Sequence, residues 1–396
     1  MPCLHDLLKE TCLLHYKEVD LGLERCRALL EKLGNPHLHI PPVFHVAGTN
    51  GKGSTLAFIK QILEDNGYSV HRYTSPHLVR FNERIELSCV PATDDVLANA
   101  LAEILRINDG APITTFEAVT CLAFFLFART PADFTLLEVG VGGRLDATNI
   151  IHNPLITAIT SISLDHQSDL GETVEAIALE KAGIIKSGSP VVVGRGLKPS
   201  VHDVIEQSAQ KQGAPLILAS SARERDLGLI GAHQRENAEI AVQMIESAGI
   251  KCSSVEESLR KAKWPGRLQQ LILPCGEIWL DGAHNEAGAK ALALSLAQLD
   301  TGPWTFFIHI KARKDASTIL KHFASVACFF YFIDSPIGGG DCVAPSELLQ
   351  LSAELGISAA LLSEVDEIWG VMKKTASPMI ASGSLFFVGS ILHSNL

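Results

Sequence analysis

Short apolar runs alternate with amphipathic stretches along most of this chain. Runs rich in β-branched, aromatic and other apolar residues cover 43–46, 68–73, 134–137, 156–162, 191–193 and 216–218. Helical patterns lie between them: one covers 55–66 and ends at Gly67, and the apolar stretch 118–128 is typical of a buried helix. This alternation predicts an α/β fold built on parallel sheets with helices on both faces.

A helix stop near residue 265 divides the chain. Residues 254–257 have the pattern of a capping box that opens a short helix, and Pro265 and Gly266 end that helix. Beyond this point the alternation resumes, with elements at 278–280, 286–299, 304–310, 327–333, 346–355 and 385–388. We therefore predict a larger domain, 1–267, and a second, smaller α/β domain, 268–396.

Length, charge and cysteine content narrow the class of protein. A chain of 396 residues exceeds one typical core, which agrees with two domains. The net charge of −11 argues against a general role with nucleic acid or at an anionic membrane. Nine scattered cysteines without a CxxC pair, and an N-terminal segment without a signal-like apolar core, indicate a cytoplasmic enzyme. We expect it to act on small molecules as a monomer.

A glycine-rich segment between the first apolar run and its following helix carries the clearest chemical signal. It consists of Gly48, Thr49, Asn50, Gly51, Lys52, Gly53 and Ser54. In a strand–loop–helix setting, such a loop cradles phosphates with backbone N–H groups, a lysine reaches the β- and γ-phosphates, and a serine hydroxyl holds Mg²⁺. The match to GxxxxGK[ST] is imperfect, because Val46 replaces the first glycine and Gly53 separates Lys52 from Ser54. The alternative is a glycine-rich turn that binds nothing.

Several polar side chains follow other predicted strands. Ser75, Glu138 and His166 each come at or just after the end of an apolar run. Ligands collect at the carboxyl ends of parallel strands, so one shared site is expected there. A carboxylate beside a phosphate loop is a typical Mg²⁺ ligand, which favours this role for Glu138 over an exposed loop position. By itself, His166 is more typical of a surface histidine, because Mg²⁺ prefers oxygen ligands.

Three further positions have both a structural and a functional interpretation. Lys181 lies near the end of a predicted helix, where a cation complements the helix dipole. The segment 281–285 follows a strand and is either an N-cap turn or a second nucleotide contact. Arg267, in the predicted linker, carries a guanidinium group suited to phosphate oxygens.

Landmark segments follow one another in a fixed order from about residue 21 to residue 285. They are 21–25, 45–54, 74–78, 81–85, 115–117, 138–149, 164–166, 180–183, 233–234 with Asn237, 264–267 and 281–285. In this order they resemble folylpolyglutamate synthase/dihydrofolate synthase, a branch of the Mur ligase superfamily. The resemblance implies a P-loop ATPase-like central domain and a smaller Rossmann-like domain that close over the substrates.

The resemblance also implies a set of site residues. For ATP these are Gly48 to Ser54, Asn237, Arg267, Asp281 and His284; for one or two Mg²⁺ ions, they are Ser54, Ser75, Glu138 and His166. The catalytic residues it implies are Lys52, Glu138, His166 and Lys181, with Lys181 matching a family lysine that reacts with CO₂ to form a carbamate. The pterin and substrate contacts it implies are Leu21, Gly22, Leu23, Thr115, Phe116, Arg144 and Asp146.

The implied reaction is ATP-dependent formation of an amide with L-glutamate. A carboxylate of dihydropteroate or of a reduced folate takes the γ-phosphoryl group of ATP, and the glutamate amine then displaces phosphate. Two alternatives stay open: a Mur-type ligase acting on a nucleotide-linked cell-wall precursor, and a nucleotide switch without synthetic activity. One departure concerns glutamate handling, because Arg313 stands where the family tends to have the first acid of Asp-Lys-Asp.

Overall fold

The computed structural model describes all residues except 1, 2, 16, 18, 300, 336, 338–340, 395 and 396. The chain divides into two compact units, which are described separately. The first unit comprises residues 1–226 and 235–262, and the second comprises residues 227–234 and 263–396. Within the described residues, no helix combines the length and apolar character that a membrane-crossing segment requires.

The first unit is built on an eight-stranded sheet. Its strands are β1 (Val43–Ala47), β2 (Val70–Tyr73), β3 (Ile85–Leu87), β4 (Val90–Pro91), β5 (Phe134–Glu138), β6 (Ile156–Ile159), β7 (Val191–Val193) and β8 (Leu216–Leu218). The strand order is β4-β3-β2-β5-β1-β6-β7-β8. The six strands from β2 to β8 in this order are parallel, whereas β3 and β4 pair antiparallel at one edge. The predicted parallel sheet is thus confirmed.

Helices of the first unit follow the strands as the sequence pattern predicts. They are α1 (Leu4–Leu13), α2 (Glu24–Lys32), α3 (Lys52–Asp65), α4 (Asp94–Asn108), α5 (Thr115–Phe127), α6 (Gln167–Leu170), α7 (Val174–Ala182), α8 (Pro199–Gln212), α9 (Ala232–Ser247, beginning in the second unit) and α10 (Val255–Lys261). All residues of α5 from Glu117 to its end are buried, which confirms the predicted core helix. Burial of its aromatic and aliphatic side chains stabilises the core that supports the site.

The second unit contains a six-stranded sheet. Its strands are β9 (Gln269–Leu273), β10 (Gly276–Leu280), β11 (Trp304–Ile308), β12 (Ala327–Ile333), β13 (Ser358–Leu362) and β14 (Met379–Ser382), in the order β13-β12-β11-β14-β10-β9. Its helices are α11 (Glu286–Gln298), α12 (Ala316–Ala324), α13 (Pro345–Glu354), α14 (Ile368–Met372) and α15 (Leu385–His393). Only β9 pairs antiparallel, in a hairpin with β10. The α/β character predicted for this part of the chain is therefore confirmed.

The last predicted element, 385–388, lies in helix α15, which follows strand β14. One local prediction is wrong. Helix α10 forms, but Ser254 adopts a φ of +54° and makes no side-chain capping bond. Glu257, the acid of the predicted box, instead pairs with Lys261 of the same helix at 2.8 Å.

Candidate active site

The phosphate loop joins β1 to α3 and is held from the side by residues that follow β6. The Thr49 N–H donates to the Ser161 carbonyl at 2.7 Å, and the Asn50 N–H donates to the Ser161 hydroxyl at 3.1 Å. The Thr160 hydroxyl donates to the Asn50 carbonyl at 2.7 Å. The neighbouring strand end therefore fixes the loop backbone by direct hydrogen bonds.

Two glycines of this loop lie where a larger residue would not fit. Gly51 precedes α3 with a φ of +89°, and a Cβ there would overlap the Asn237 carboxamide. A Cβ on Gly48 would overlap the Thr160 hydroxyl. Asn237, on α9 in the same unit, therefore contacts the loop directly.

Lys52 and Ser54 occupy the first turn of α3. The Lys52 ammonium donates to the Gly48 carbonyl at 3.0 Å and lies 3.4 Å from the Thr49 carbonyl, so the side chain folds back over the loop. Ser54 is buried. The ammonium group, the first-turn N–H groups and the positive end of the helix dipole lie together, which suits this loop to bind phosphate.

Glu138 ends β5, beside the strand that leads into the phosphate loop. The register pairs Val46 of β1 with Glu138, and β2 flanks β5 on its other side. The buried Glu138 carboxylate accepts the Ser75 N–H at 3.3 Å through Oε2. The structure thus brings Ser75 and Glu138 together. Carboxylate and hydroxyl oxygens are the ligands that Mg²⁺ prefers, so the donors Ser54, Ser75 and Glu138 fit that ion chemically.

His166 lies at the start of the short helix α6 and has a left-handed backbone with a φ of +51°. Its side chain is 40% exposed, and its ring nitrogens lie 4.0 Å from the carboxylates of Asp165 and Asp169. Upstream, the Ser163 N–H donates to the Thr49 hydroxyl at 3.1 Å, which ties this segment to the phosphate loop. This left-handed conformation is uncommon for non-glycine residues, and histidine is among those that adopt it more readily.

Lys181 is buried in α7, close to groups of both signs. Burial lowers the pKa of its ammonium to about 7, and the nearby positive charge of Lys52 acts in the same direction. The carboxylates of Asp165 and Asp146 oppose the shift. Lys181 lies in the last turn of α7, as predicted, but its side chain is buried, and its pKa responds to the phosphate-loop lysine and to two acids. Its amine is largely neutral at mildly alkaline pH, which is the form that reacts with electrophiles.

The loop after β5 packs tightly on α7. A Cβ on Gly143 would come within 2.6 Å of the Glu180 carbonyl, and a Cβ on Gly183 would overlap the Arg144 backbone. The Arg144 N–H donates to the Glu180 carbonyl at 2.7 Å, and its guanidinium pairs with the Glu180 carboxylate at 2.8 Å. Arg144, predicted as a substrate contact, thus has an intramolecular partner.

Phe116, Gly140 and Asp146 form one wall of the first unit. A Cβ on Gly140 would come within 2.5 Å of the Phe116 ring and within 3.1 Å of an Asp146 carboxylate oxygen. The Phe116 ring centroid lies 6.1 Å from that of the buried Tyr73. Gly140 therefore packs directly against the Phe116 ring and the Asp146 carboxylate, and it holds an aromatic ring and an acid side by side. Aromatic rings and carboxylates are groups that bind flat heterocycles with N–H donors.

The segment 21–23 is attached to the start of α5 through Arg25. The Arg25 Nε donates to both Glu117 carboxylate oxygens at 3.2 and 3.0 Å, and its Nη1 pairs with Asp20 at 2.7 Å. The Leu23 N–H donates to the Glu24 carboxylate at 3.1 Å. This ion-pair network connects the two segments, 21–23 and 115–116, that the resemblance assigns to the pterin.

Sequence reasoning assigned no role to Arg25 or Glu117. The pattern Thr114-x-x-Glu117 is a capping box and could have located the buried carboxylate. The structure forms this box, with the Glu117 N–H donating to the Thr114 hydroxyl at 3.2 Å and the Thr114 N–H donating to Glu117 at 2.9 Å. The Thr115 hydroxyl accepts a hydrogen bond from the Thr11 hydroxyl of α1 at 3.1 Å.

In the second unit, Asp281 organises the end of β10. Its carboxylate accepts the N–H groups of Leu268 and Ala283, both at 2.8 Å. The guanidinium of Arg267 donates to the Gly266 carbonyl. A Cβ on Gly282 would come within 2.7 Å of Nη1 of this guanidinium. His284 lies 2.9 Å from the Gly282 carbonyl through Nδ1. Arg267, Asp281 and His284 thus lie close together at the end of β10.

The altered segment 311–315 follows β11 in the same unit. Asp315 caps α12, accepting the Thr318 N–H at 3.0 Å and its hydroxyl at 2.6 Å. Lys311 lies with its ammonium 4.3 Å from the centre of the Phe386 ring, a cation–π distance. Arg313, which replaces an acid, is exposed. The acid that remains in this segment therefore has a structural use as a helix cap.

Comparisons with known proteins agree on one family. Residues 46–228 match the model of the Mur ligase middle domain. The chain is 40% identical over 314 residues to the dihydrofolate synthase/folylpolyglutamate synthase of Bacillus subtilis, which covers 70% of this chain and 72% of that protein.

Solved structures extend the likeness over the whole chain. Escherichia coli FolC in complex with DHPP and ADP superimposes with a TM-score of 0.89 at 31% identity, covering 100% of this chain and 98% of that one. A bifunctional folylpolyglutamate synthase/dihydrofolate synthase with Mn, AMPPNP and L-glutamate bound gives a TM-score of 0.87 at 29% identity, with 100% and 98% covered.

Proposed function

This chain belongs to the dihydrofolate synthase/folylpolyglutamate synthase family of Mur ligases, and from that premise we propose how its own residues carry out the reaction. It is an ATP-dependent acid–amino-acid ligase that adds L-glutamate to dihydropteroate, to reduced folates, or to both. The single observation that carries the assignment of the centre is the position of Lys181. This buried lysine packs against Gly143, in the loop that leads to Asp146, and Lys52 of the phosphate loop acts to lower its pKa.

The phosphate loop binds ATP and prepares its terminal phosphoryl group for transfer. The substrate carboxylate attacks the γ-phosphorus, ADP leaves, and the resulting acyl phosphate is a good acyl donor. The amine of L-glutamate attacks the acyl carbon, phosphate leaves, and the ammonium proton is released as the amide forms. Lys52 and the first-turn N–H groups of α3 offset the charge on the transferring group, and positioning supplies most of the remaining acceleration.

We propose Ser54, Ser75, Glu138 and His166 as the groups that hold Mg²⁺, in one or two sites. The hydrogen bond between Glu138 and the Ser75 backbone supports the pairing of these two residues. The bound ion would neutralise charge on the phosphate oxygens. Glu138 and Ser75 orient that end of the site from neighbouring strands.

Lys181 is proposed to carry a carbamate. The depressed pKa supports this, because only the neutral amine adds to CO₂, and the adduct loses one proton to give an anion. A buried anion near Lys52 and a bound Mg²⁺ would complement their positive charge, whereas a buried ammonium would not.

The folate end is proposed to lie against Leu21, Gly22, Leu23, Thr115, Phe116 and Asp146, with Arg144 contributing through its neighbouring backbone. The close packing of Gly140 against Phe116 and Asp146 supports grouping these two side chains in one part of the site. The nucleotide contacts proposed outside the phosphate loop are Asn237, Arg267, Asp281 and His284. The contact between Asn237 and Gly51 supports the first of these.

For the domain roles, we propose that residues 1–267 carry the ATP and folate sites and residues 268–396 carry the glutamate-ligase domain. The compact-unit division differs in detail, because residues 227–234 and 263–267 group with the second unit. A cytoplasmic location is also proposed, and the nine free cysteines support a reducing compartment.

The experiment that tests the function is a phosphate-release assay with mass detection of the product. The purified protein receives Mg·ATP, L-glutamate and either dihydropteroate or a tetrahydrofolate. We expect stoichiometric phosphate and glutamylated product with at least one acceptor. ATP turnover only with a nucleotide-linked cell-wall precursor would overturn the folate assignment, and nucleotide binding without any product would indicate a switch.

A further inference from the structure

His45 lies in the middle of β1, three residues before the phosphate loop, and is completely buried. Its Nε2 lies 2.9 Å from the Thr148 hydroxyl, which in turn lies 2.5 Å from Oδ1 of Asp146. Three buried polar groups thus form a continuous chain. It runs from the central strand of the sheet to the carboxylate of the aromatic wall.

The direction of each hydrogen bond follows from counting donors. Asp146 receives the Val141 N–H at 2.9 Å, the Thr148 N–H at 3.0 Å and the Thr148 hydroxyl, so its carboxylate acts as the acceptor. A hydroxyl has one hydrogen, and Thr148 gives it to Asp146. The Thr148 oxygen must therefore accept from His45, which places the ring hydrogen on Nε2.

The protonation state of His45 agrees with this arrangement. Burial lowers its pKa to about 3, with Lys186 adding to the shift, so the ring is neutral near pH 7. With Nε2 carrying the hydrogen, Nδ1 is an acceptor, and within the described residues it has no hydrogen-bond partner. A hydrophobic side chain would fill this place in a sheet without leaving a polar atom unsatisfied. What the His45 ring provides here is the hydrogen bond from Nε2 to the Thr148 hydroxyl.

Asp146 needs this support because it is buried. Burial raises the pKa of its carboxyl group above the ordinary range, and the hydrogen bond from Thr148 is the largest of the interactions that oppose this. If the Thr148 hydroxyl rotated away, the carboxylate would lose a donor and the fixed orientation of its oxygens. Its Oδ2 lies beside Gly140, and this is the oxygen that the proposed function places nearest the folate.

We propose that His45 is a positioning residue for the folate substrate: through the Thr148 hydroxyl it orients the Asp146 carboxylate to accept N–H groups of the pterin ring. The inference rests on the proposed function, since it takes dihydropteroate as the occupant of the wall formed by Phe116, Gly140 and Asp146. His45 itself touches neither substrate nor nucleotide in this account.

Paired variants separate this role from simple core filling. His45→Leu and Thr148→Val remove the donor or the hydroxyl at similar volume, whereas His45→Gln and Thr148→Ser retain an N–H or a hydroxyl. We expect the first pair to raise the KM for dihydropteroate about tenfold or more while the KM for ATP changes less than about twofold. For His45→Gln and Thr148→Ser, the KM for dihydropteroate and the KM for ATP should both stay within about threefold of the wild-type values. Circular dichroism checks that each variant folds.

Two further measurements make the test decisive. The double variant His45→Leu/Thr148→Val should raise the KM for dihydropteroate no more than the worse single variant, because both break one chain. In ¹⁵N-histidine-labelled wild-type protein, NMR should show His45 as the Nε2–H tautomer, and Thr148→Val should move that nitrogen resonance.

The outcomes distinguish the inference from the proposed function. If the wild-type protein makes dihydrofolate and Thr148→Val leaves the KM for dihydropteroate unchanged, the inference is overturned and the proposed function stands. An Nδ1–H tautomer would do the same, as would an equal loss of ATP affinity. Wild-type protein that uses no pterin substrate would instead overturn the proposed function.

Discussion

At the scale of single residues, electrostatics around the phosphate loop decides the behaviour of the site. Lys52 and Lys181 are two lysines close enough to influence one another, yet Lys52 is held at the loop surface and Lys181 is buried. Sequence position alone suggested only a helix end for Lys181. Its burial, and the opposing influences of Lys52 and of two acids on its pKa, depend on segments far apart in the chain.

The pH dependence of stability should reveal the buried Lys181. Its pKa is about 7 in the folded state and 10.5 in the reference state, so between these values the unfolded chain binds one more proton. Stability contributed by this group therefore rises with pH across that window, by about 1.4 kcal/mol per pH unit. Urea unfolding in bicarbonate-free buffer should show wild type gaining stability relative to Lys181→Met as the pH rises. Exposed Lys251→Met is the control, and parallel curves for wild type and Lys181→Met would refute the shift.

Chemical rescue should report the carbamate. Lys181→Ala removes the side chain that carries the proposed anion, so product formation should fall by about 100-fold or more. Acetate or formate that enters the space should restore part of the rate, because it supplies a carboxylate in the same place. The rate is measured by phosphate release with increasing acid concentration. A fully active variant would leave the lysine without a catalytic role.

Glu138→Gln tests the metal site without changing side-chain volume. The amide keeps an oxygen but loses the negative charge, so the Mg²⁺ concentration for half-maximal activity should rise about 10- to 100-fold. Titration of activity with Mg²⁺ measures the change. Glu246→Gln, at an exposed position of α9, should leave the titration unaltered. An identical metal requirement in Glu138→Gln would exclude this carboxylate as a ligand.

At the scale of elements, the phosphate loop shows how local pattern and tertiary contact combine. Its strand–loop–helix setting could be predicted from the sequence, because an apolar run precedes it and helical periodicity follows it. The clamp by Thr160 and Ser161 could not, since those residues lie more than a hundred positions away and meet the loop only when β1 pairs with β6. The pattern at Ser254 predicted a capping box that does not form, and its acid, Glu257, pairs with Lys261 instead.

Gly51→Ala tests the loop as an element. The new methyl group would require a backbone with φ of +89° and would overlap the Asn237 carboxamide, so the loop must shift. We expect the Kd for Mg·ATP, measured by calorimetry, to rise about tenfold or more. The matched control is Gly67→Ala, with φ of +82° and no atom within 4 Å of the new Cβ. It should lose about 1 kcal/mol of stability and keep its ATP affinity. Equal affinities in both variants would exclude a steric role for Gly51.

At the scale of the whole molecule, the order of strands in the first sheet gathers the site. The central order β2-β5-β1-β6 brings the segments after these strands to one edge, although they are widely separated in sequence. Ser75, Glu138, the phosphate loop and the segment leading to His166 follow these four strands in turn. Ligands collect at such edges because helix N-termini and loop N–H groups converge there.

Binding of Mg·ATP should stabilise the whole protein by mass action. At about 100 times the Kd, the free energy of unfolding should rise by about 2.7 kcal/mol. Thermal unfolding with increasing Mg·ATP measures this as an upward shift of Tm. Lys52→Ala should fold normally, lose the shift and form no product, whereas Lys251→Ala should behave as wild type. An unshifted Tm in wild type at saturating nucleotide would contradict the phosphate-loop assignment.

The sequence by itself determined the α/β class, most strand and helix positions and the phosphate loop. These depend on side-chain periodicity and on residues adjacent in the chain, and local physics acts over such distances. Tertiary structure alone decided that Lys181 is buried where Lys52 and Asp146 influence its pKa, that Arg25 reaches Glu117, and that His45 reaches Asp146 through Thr148. Each of these depends on which strands become neighbours and how deeply a group is buried, and neither quantity is encoded in any local stretch of residues.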